Sequence, residues 1–172
     1  MFKKTKRKKR KIRKNRLWSL LLAFFVVIGL FAFGQGKVVK VSDGDSLTLF
    51  SSDGKFETIR LYGVDSPEYF QEGGIAAYEF TKELVFLQEV KITPINKDQY
   101  GRTVALVHLK DGRNLNEELL RSGNAWQYGA YCKEAWCPAW KLLEIEARQA
   151  KKGLWAKAKP TPPWKWRKNK NK

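Results

Sequence analysis

Three short stretches crowd carboxylates and arginines against turns: SDGDS (42–46), RLYGVDSPE (60–68) and DQYGR (98–102). Asp45 and Asp65 are hard oxygen donors, and the turn at Ser66 offers a backbone carbonyl as a third. Such donors suit Ca2+ or Mg2+ rather than zinc or copper. DGD lacks the ligand spacing and closing glutamate of an EF-hand, and three protein ligands leave coordination positions for water and substrate. Arg60 stands in a strand-like run, where a charge needs a partner, and Arg102 follows a glycine at the entry to another. Guanidinium forks match phosphate oxygens with paired donors. Two forks and a divalent cation form a clamp for a phosphoryl group gaining negative charge. Glu68, three residues beyond Asp65, is placed to hold a water as a general base, with Pro67 stiffening the backbone between them. Taken singly, DGD reads as an ordinary turn and RLYGVDSPE as a strand with a surface ion pair. The combination, in this order, is far more specific than any member.

These residues must be carried by short β-elements. KVVKV and SLTLF flank SDGD, and SSDG separates the second run from KFETIRLYGV, which predicts a meander of three antiparallel strands. GIAAYEFTKELVFL predicts a helix with an apolar stripe of Ile75, Ala76, Phe80, Leu84 and Leu87. EVKITPI and TVALVHL read as two further strands, NLNEELLRSG as a short helix with an Asn start and a Gly stop, and a last helix runs from about Pro138 to near Gly153. The order suits an α+β protein built on a five-stranded, closed oligonucleotide-binding (OB-fold) barrel with three packed helices. His108 shares a strand face with Val104 and Leu106 and reads as structural.

The formal charge of +17 is concentrated at the ends. Residues 1–16 hold eleven Lys or Arg and residues 156–172 hold seven, with no acid in either, so residues 35–155 are close to neutral. The basic flank 1–16 precedes an apolar segment, 17–34, expected to be a signal peptide or a transmembrane anchor preceding the barrel. The domain that follows is then expected outside the cytoplasm, anchored to the membrane or secreted. Cys132 and Cys137 suit that compartment as a disulfide, with free thiols the alternative. A zinc site is disfavoured by the single histidine. The basic tail 156–172 carries Trp164 and Trp166 among Lys and Arg. It reads as a solvated tail, or as a clamp whose aromatics stack on single-stranded bases.

DGDSLTL, RLYGVDSPE, DQYGRTVALV and NLNEELLRSGNAW together resemble the motifs of the thermonuclease, or staphylococcal-nuclease-like, family over residues 37–155. The resemblance implies a nuclease with one Ca2+, hydrolysing DNA and RNA to leave 3′-phosphate ends, and the chain is expected to act as a monomer. It implies calcium ligands at Asp45, Asp65 and the Ser66 carbonyl, catalytic arginines at Arg60 and Arg102, and a base at Glu68. Tyr100 matches a tyrosine that contacts substrate phosphate, and Tyr128 is a candidate for stacking on a base. Ser66 stands where Thr is common, and Gln99 where some members carry a lysine. The competing reading is a non-catalytic extracellular module that captures nucleic acid. Such a binder has no use for carboxylates facing phosphate.

Overall fold

The computed structural model describes residues 34–170. The basic flank and all but Gly34 of the segment expected to be a signal or anchor lie outside the described residues, as do residues 171–172. No helix among the described residues is long and apolar enough to cross a membrane.

Alternation of side chains turns five strands into one barrel. β1 (Gly34–Asp43), β2 (Ser46–Ser51), β3 (Phe56–Leu61), β5 (Glu89–Lys97) and β6 (Thr103–His108) close in the order β1-β2-β3-β6-β5. Val38, Val41, Leu47, Leu49, Ile59, Leu61, Val90, Ile92, Ala105 and Val107 all point inward and are buried. Full burial of each large aliphatic among them contributes about 1.5–3 kcal/mol. The closing contact is parallel, between Ile59–Leu61 and Thr103–Ala105. Register shifts in β1 between Val38 and Lys40 and between Val41 and Asp43 let that strand coil, so it pairs with both β2 and β5. Pro94 lies at the shift in β5, where a missing N–H is tolerated.

The run expected as one strand from Lys55 to Val64 breaks in two. Tyr62 and Gly63 turn the chain, and β4 (Val64–Asp65) leaves the barrel to pair antiparallel with β7 (Trp126–Gln127). Gly63 has φ 68, and a Cβ there would lie 2.8 Å from Cys132 Sγ. Only glycine tolerates both the left-handed backbone and the close approach.

Four α-helices pack outside the barrel among the described residues: α1 (Gly74–Val85), α2 (Leu115–Arg121), α3 (Cys137–Gln149) and α4 (Pro163–Lys170). The fully buried face of α1 is Gly74, Ala77, Thr81 and Val85; of the stripe read from the sequence, Phe80 and Leu84 pack half-buried against the core, whereas Ile75, Ala76 and Leu87 are exposed. The true face includes a glycine and a threonine, Gly74 against the Glu68–Tyr69 backbone and Thr81 bonded to the Gly44 carbonyl, so a count of apolar residues misplaces it. α2 is capped by the Asn114 side chain, which accepts from Asn116 and Glu117 N–H groups. Buried Asn116 then ties α2 to the barrel, donating to the Tyr62 carbonyl at 2.9 Å and accepting from Val107 N–H at 3.1 Å. Cys132 and Cys137 are joined in a disulfide. Three packed helices were expected; the fourth, α4, forms from the basic tail, and Pro163 at its start is buried.

Candidate active site

The two-residue turn between β1 and β2 presents Asp45. Gly44 packs so tightly that a Cβ would lie 2.7 Å from the Ser66 side chain and 2.8 Å from Ala77 Cβ. Thr81 of α1 donates its hydroxyl to the Gly44 carbonyl at 2.6 Å, and Asp43 Oδ1 accepts the Asp45 N–H at 3.0 Å. The Asp45 carbonyl accepts from Leu61 N–H at 2.9 Å, clamping the turn against the end of β3.

Asp65 arrives from the other side. It is 0% exposed and pairs across the β4–β7 ladder with Trp126. β7 is in turn held by Glu144 of α3, whose buried carboxylate accepts the Gln127 N–H at 2.7 Å. The Ser66 N–H donates to Asp45 Oδ2 at 2.6 Å, so the two acidic turns are joined directly.

Arg60 lies between the acids. Its Nη1 is 2.8 Å from Asp45 Oδ1 and its Nη2 is 2.8 Å from Asp65 Oδ1, and the Val64 carbonyl accepts from Nη1 at 3.0 Å. Burial pushes the Asp45 carboxyl well above the ordinary carboxylate value, although Arg60 pulls it down. Burial also opposes the charge on Arg60, but Asp45 and Asp65 outweigh it and hold that guanidinium above its usual value. A second guanidinium completes the cluster. Arg167 of α4 donates from Nη2 to Asp65 Oδ2 at 2.9 Å, and from Nη1 to Asp65 Oδ1 at 3.2 Å and Glu68 Oε1 at 2.8 Å. Desolvation opposes its charge, but Asp65 and Glu68 more than compensate and raise its pKa.

The donor set fits a hard divalent cation. Two buried carboxylates each already draw cationic groups, and Ser66 Oγ is buried with no hydrogen-bond partner. No group of three or more His, Cys, Asp or Glu that could hold a metal occurs among the described residues. Any ion here would therefore rely on Asp45, Asp65, a backbone oxygen and water, a hard-oxygen set.

The structure thus brings together Asp45, Asp65, Ser66, Arg60 and, through Arg167, Glu68. Arg102 makes no contact with this group. Its side chain shares the outer face of the barrel with Arg60, since Arg60 is in register with Val104 and side chains alternate along β6. Its Nε donates to Asp98 Oδ2 at 2.7 Å, and its guanidinium lies 5.6 Å from the Tyr100 ring centre. Tyr100 is 75% exposed beside it in the β5–β6 turn. Tyr128 follows β7 and donates its N–H to the Gly63 carbonyl at 2.8 Å. Burial raises its phenol above the ordinary value, with the Asp65 carboxylate adding to the shift. Its ring stacks on Trp164 at 5.1 Å with planes 5° apart. His108 shares a hydrogen bond with Thr93 Oγ1 at 3.0 Å and takes no part.

Sequence reasoning missed Thr81, Asn116, Glu144 and Arg167. A polar residue within an apolar helix face is a usable signal for the first and third, because Cys137, Trp140, Glu144 and Ala147 form the buried face of α3. Asn116 follows an Asn cap and looks like part of it. Nothing local marks Arg167, which reaches carboxylates about a hundred residues earlier in the chain (separations of 102 and 99).

Residues 58–157 match the family model described as staphylococcal nuclease homologue. An uncharacterized endonuclease of Escherichia coli O157:H7 is 40% identical over 148 residues, covering 86% of this chain and 94% of that protein. An uncharacterized endonuclease of Haemophilus influenzae is 36% identical over 159 residues, covering 90% and 85%. The micrococcal nuclease of Shigella flexneri is 32% identical over 160 residues, covering 88% and 91%. Barrel, acidic turns and sequence matches agree, and the chain belongs to the staphylococcal nuclease homologue family.

Proposed function

We propose that this protein is a calcium-dependent nuclease that hydrolyses phosphodiester bonds in DNA and RNA and leaves 3′-phosphate ends. The single observation that carries the reading is the meeting of Asp45, Asp65 and Arg60 in one buried cluster with Glu68 at its rim. Two buried acids directed at one point have no role in a simple binder, since they repel phosphate. Their cost is offset where a cation and a phosphate bind together.

Asp45, Asp65 and the Ser66 carbonyl would hold the calcium ion, whose charge would stabilise a non-bridging phosphate oxygen. Arg60 donates to a second phosphate oxygen through its fork. Arg102, released from Asp98, donates to another from the same outer face of the barrel. Glu68, partly exposed, orients a water for in-line attack and accepts its proton as the 5′ oxygen departs. Tyr100 contacts a neighbouring phosphate and Tyr128 stacks on a base. Charge gathers on the phosphoryl oxygens as the transition state forms, so both arginines bind it more tightly than the ground state. The Cys132–Cys137 disulfide supports an oxidising compartment, hence an extracytoplasmic domain that is secreted or anchored through 17–34.

Digestion of DNA and RNA by the full chain in CaCl2, beside Glu68→Ala and beside wild type in EGTA, tests the proposal. Expected are fragments with 3′-phosphate ends, a loss of about 10²–10⁴-fold in Glu68→Ala, and none with EGTA. Nucleic-acid binding without cleavage would establish the binding module instead.

A further inference from the structure

We propose that α4 is an intramolecular occupant of the active site, with Arg167 standing where the cation binds and Trp164 where a nucleobase stacks. The segment 160–170 must then leave before cation and nucleic acid are both accommodated. The proposal rests on the nuclease reading above and assigns a regulation to that same site.

Two separate features of the site are covered by one face of one helix. Arg167 engages both oxygens of Asp65 and one of Glu68, at 2.8–3.2 Å. Asp65 Oδ1 accepts from Arg60 as well, which uses both lone pairs of that oxygen. A divalent ion entering here would meet a fixed positive charge at hydrogen-bonding distance from its own ligand. Three residues earlier, and so on the same side of the helix, Trp164 covers a face of Tyr128 in a parallel stack. A base cannot use that face while the indole is in place. α4 also carries Lys165, Arg167, Lys168 and Lys170 and no acid. Its ion pairs among the described residues are those of Arg167 with Asp65 and Glu68.

The attachment is specific and local. Gln71 donates to the Thr161 carbonyl at 2.6 Å and accepts from Glu68 N–H at 3.3 Å, linking the segment to the loop of the proposed base. Lys157 pairs with Glu72 at the root of the segment. Trp164 packs edge-on against Trp126, 6.3 Å between ring centres. Pro163 is the one buried residue of α4, and Trp164 is half-buried. Release therefore uncovers the aromatic cluster of Trp126, Tyr128 and Trp164 but leaves the separate barrel core covered, as expected of an element that opens locally. The closed form excludes cation, so cation binding favours the open form, and apparent affinity falls by the fraction of molecules that are closed.

Calcium binding to the full chain in mild detergent, measured by titration calorimetry without nucleic acid, tests this independently of catalysis. Arg167→Ala should bind calcium at least about tenfold more tightly than wild type. Trp164→Ala should shift in the same direction. Lys168→Ala removes the same charge from the same helix without touching a carboxylate, and should stay within about twofold if contact rather than net charge matters. In wild type, amide hydrogen exchange over 160–170 should speed up on adding calcium chloride. Affinity in Arg167→Ala equal to that of Lys168→Ala, or unchanged exchange at saturating calcium, would overturn the proposal while leaving the nuclease reading standing. Absence of calcium binding in folded wild type and folded Arg167→Ala alike would overturn the site reading and this proposal with it.

Discussion

Exchanging Glu144 for leucine should loosen the support beneath Asp65 without touching the site. The Glu144 carboxylate is fully buried and accepts from Gln127 N–H at 2.7 Å, Lys141 Nζ at 2.9 Å and Arg148 Nε at 2.8 Å. The bond from Gln127 joins a backbone donor to a charged acceptor, a class worth about 1.5–3 kcal/mol. Lys141 and Arg148 are nearly half exposed, so solvent screens them and each pair adds about 0.2–1 kcal/mol. Together the loss comes to about 2–5 kcal/mol, a fall in Tm of about 6–15 °C for a domain of this size. Glu144→Gln keeps an acceptor for Gln127 and loses only the charge, so its fall should be roughly half as large. Circular-dichroism melts at neutral pH read both values. Trp126 and Gln127 pair with Asp65 and Val64, so the leucine variant should also lose nuclease activity at temperatures where it remains folded. A leucine variant melting within about 2 °C of wild type, with full activity, would refute the argument that α3 positions Asp65 through β7.

Arg60→Lys should lose nearly as much cleavage as Arg60→Ala, about 10²-fold or more, because one ammonium cannot span Asp45, Asp65 and a phosphate; near-normal turnover in the lysine variant would sink the paired-donor role. Burial lowers the His108 imidazole from its ordinary 6.5, with Glu117 opposing and Lys91 reinforcing. The unfolded chain therefore binds a proton that the folded chain refuses, so this stability is full above 6.5 and is lost as pH falls toward the folded value. His108→Gln should flatten the drop in urea midpoint across that window, and an unchanged slope would assign the drop to other groups. Converting Cys132 and Cys137 both to serine opens a short loop and should cost about 2 kcal/mol, read as a lower Tm. An equal Tm would mean that the Tyr62 hydroxyl, which accepts from Lys133 N–H at 2.7 Å, holds the loop unaided.

Much of the site was legible because its parts are local. Asp65, Ser66 and Glu68 share one turn, and Arg60 lies on the strand that feeds it, so short-range spacing carries their relation. The barrel was legible for a similar reason: alternating apolar residues and Ser-Asp-Gly turns announce strands, and a helix between the third and fourth long runs suits an OB-type closure. The break at Gly63 was not, since LYGV reads as continuous strand until the disulfide and the β4–β7 pairing draw the chain away. Nor was the face of α1, where the close-packing residues are a glycine and a threonine.

By itself, then, the order of residues determined the five strands and the acidic turns, because each depends on neighbours within a few positions. Tertiary structure alone decided that Asp45 and Asp65 share Arg60, that Thr81, Asn116 and Glu144 hold their frames, and that Arg102 stands apart on Asp98. It alone decided that the basic tail folds back so that Arg167 meets Asp65 and Glu68. An ion pair between residues about a hundred positions apart leaves no periodicity or spacing to read. Its partners are selected by where the chain returns in space and by which buried charges remain to be neutralised.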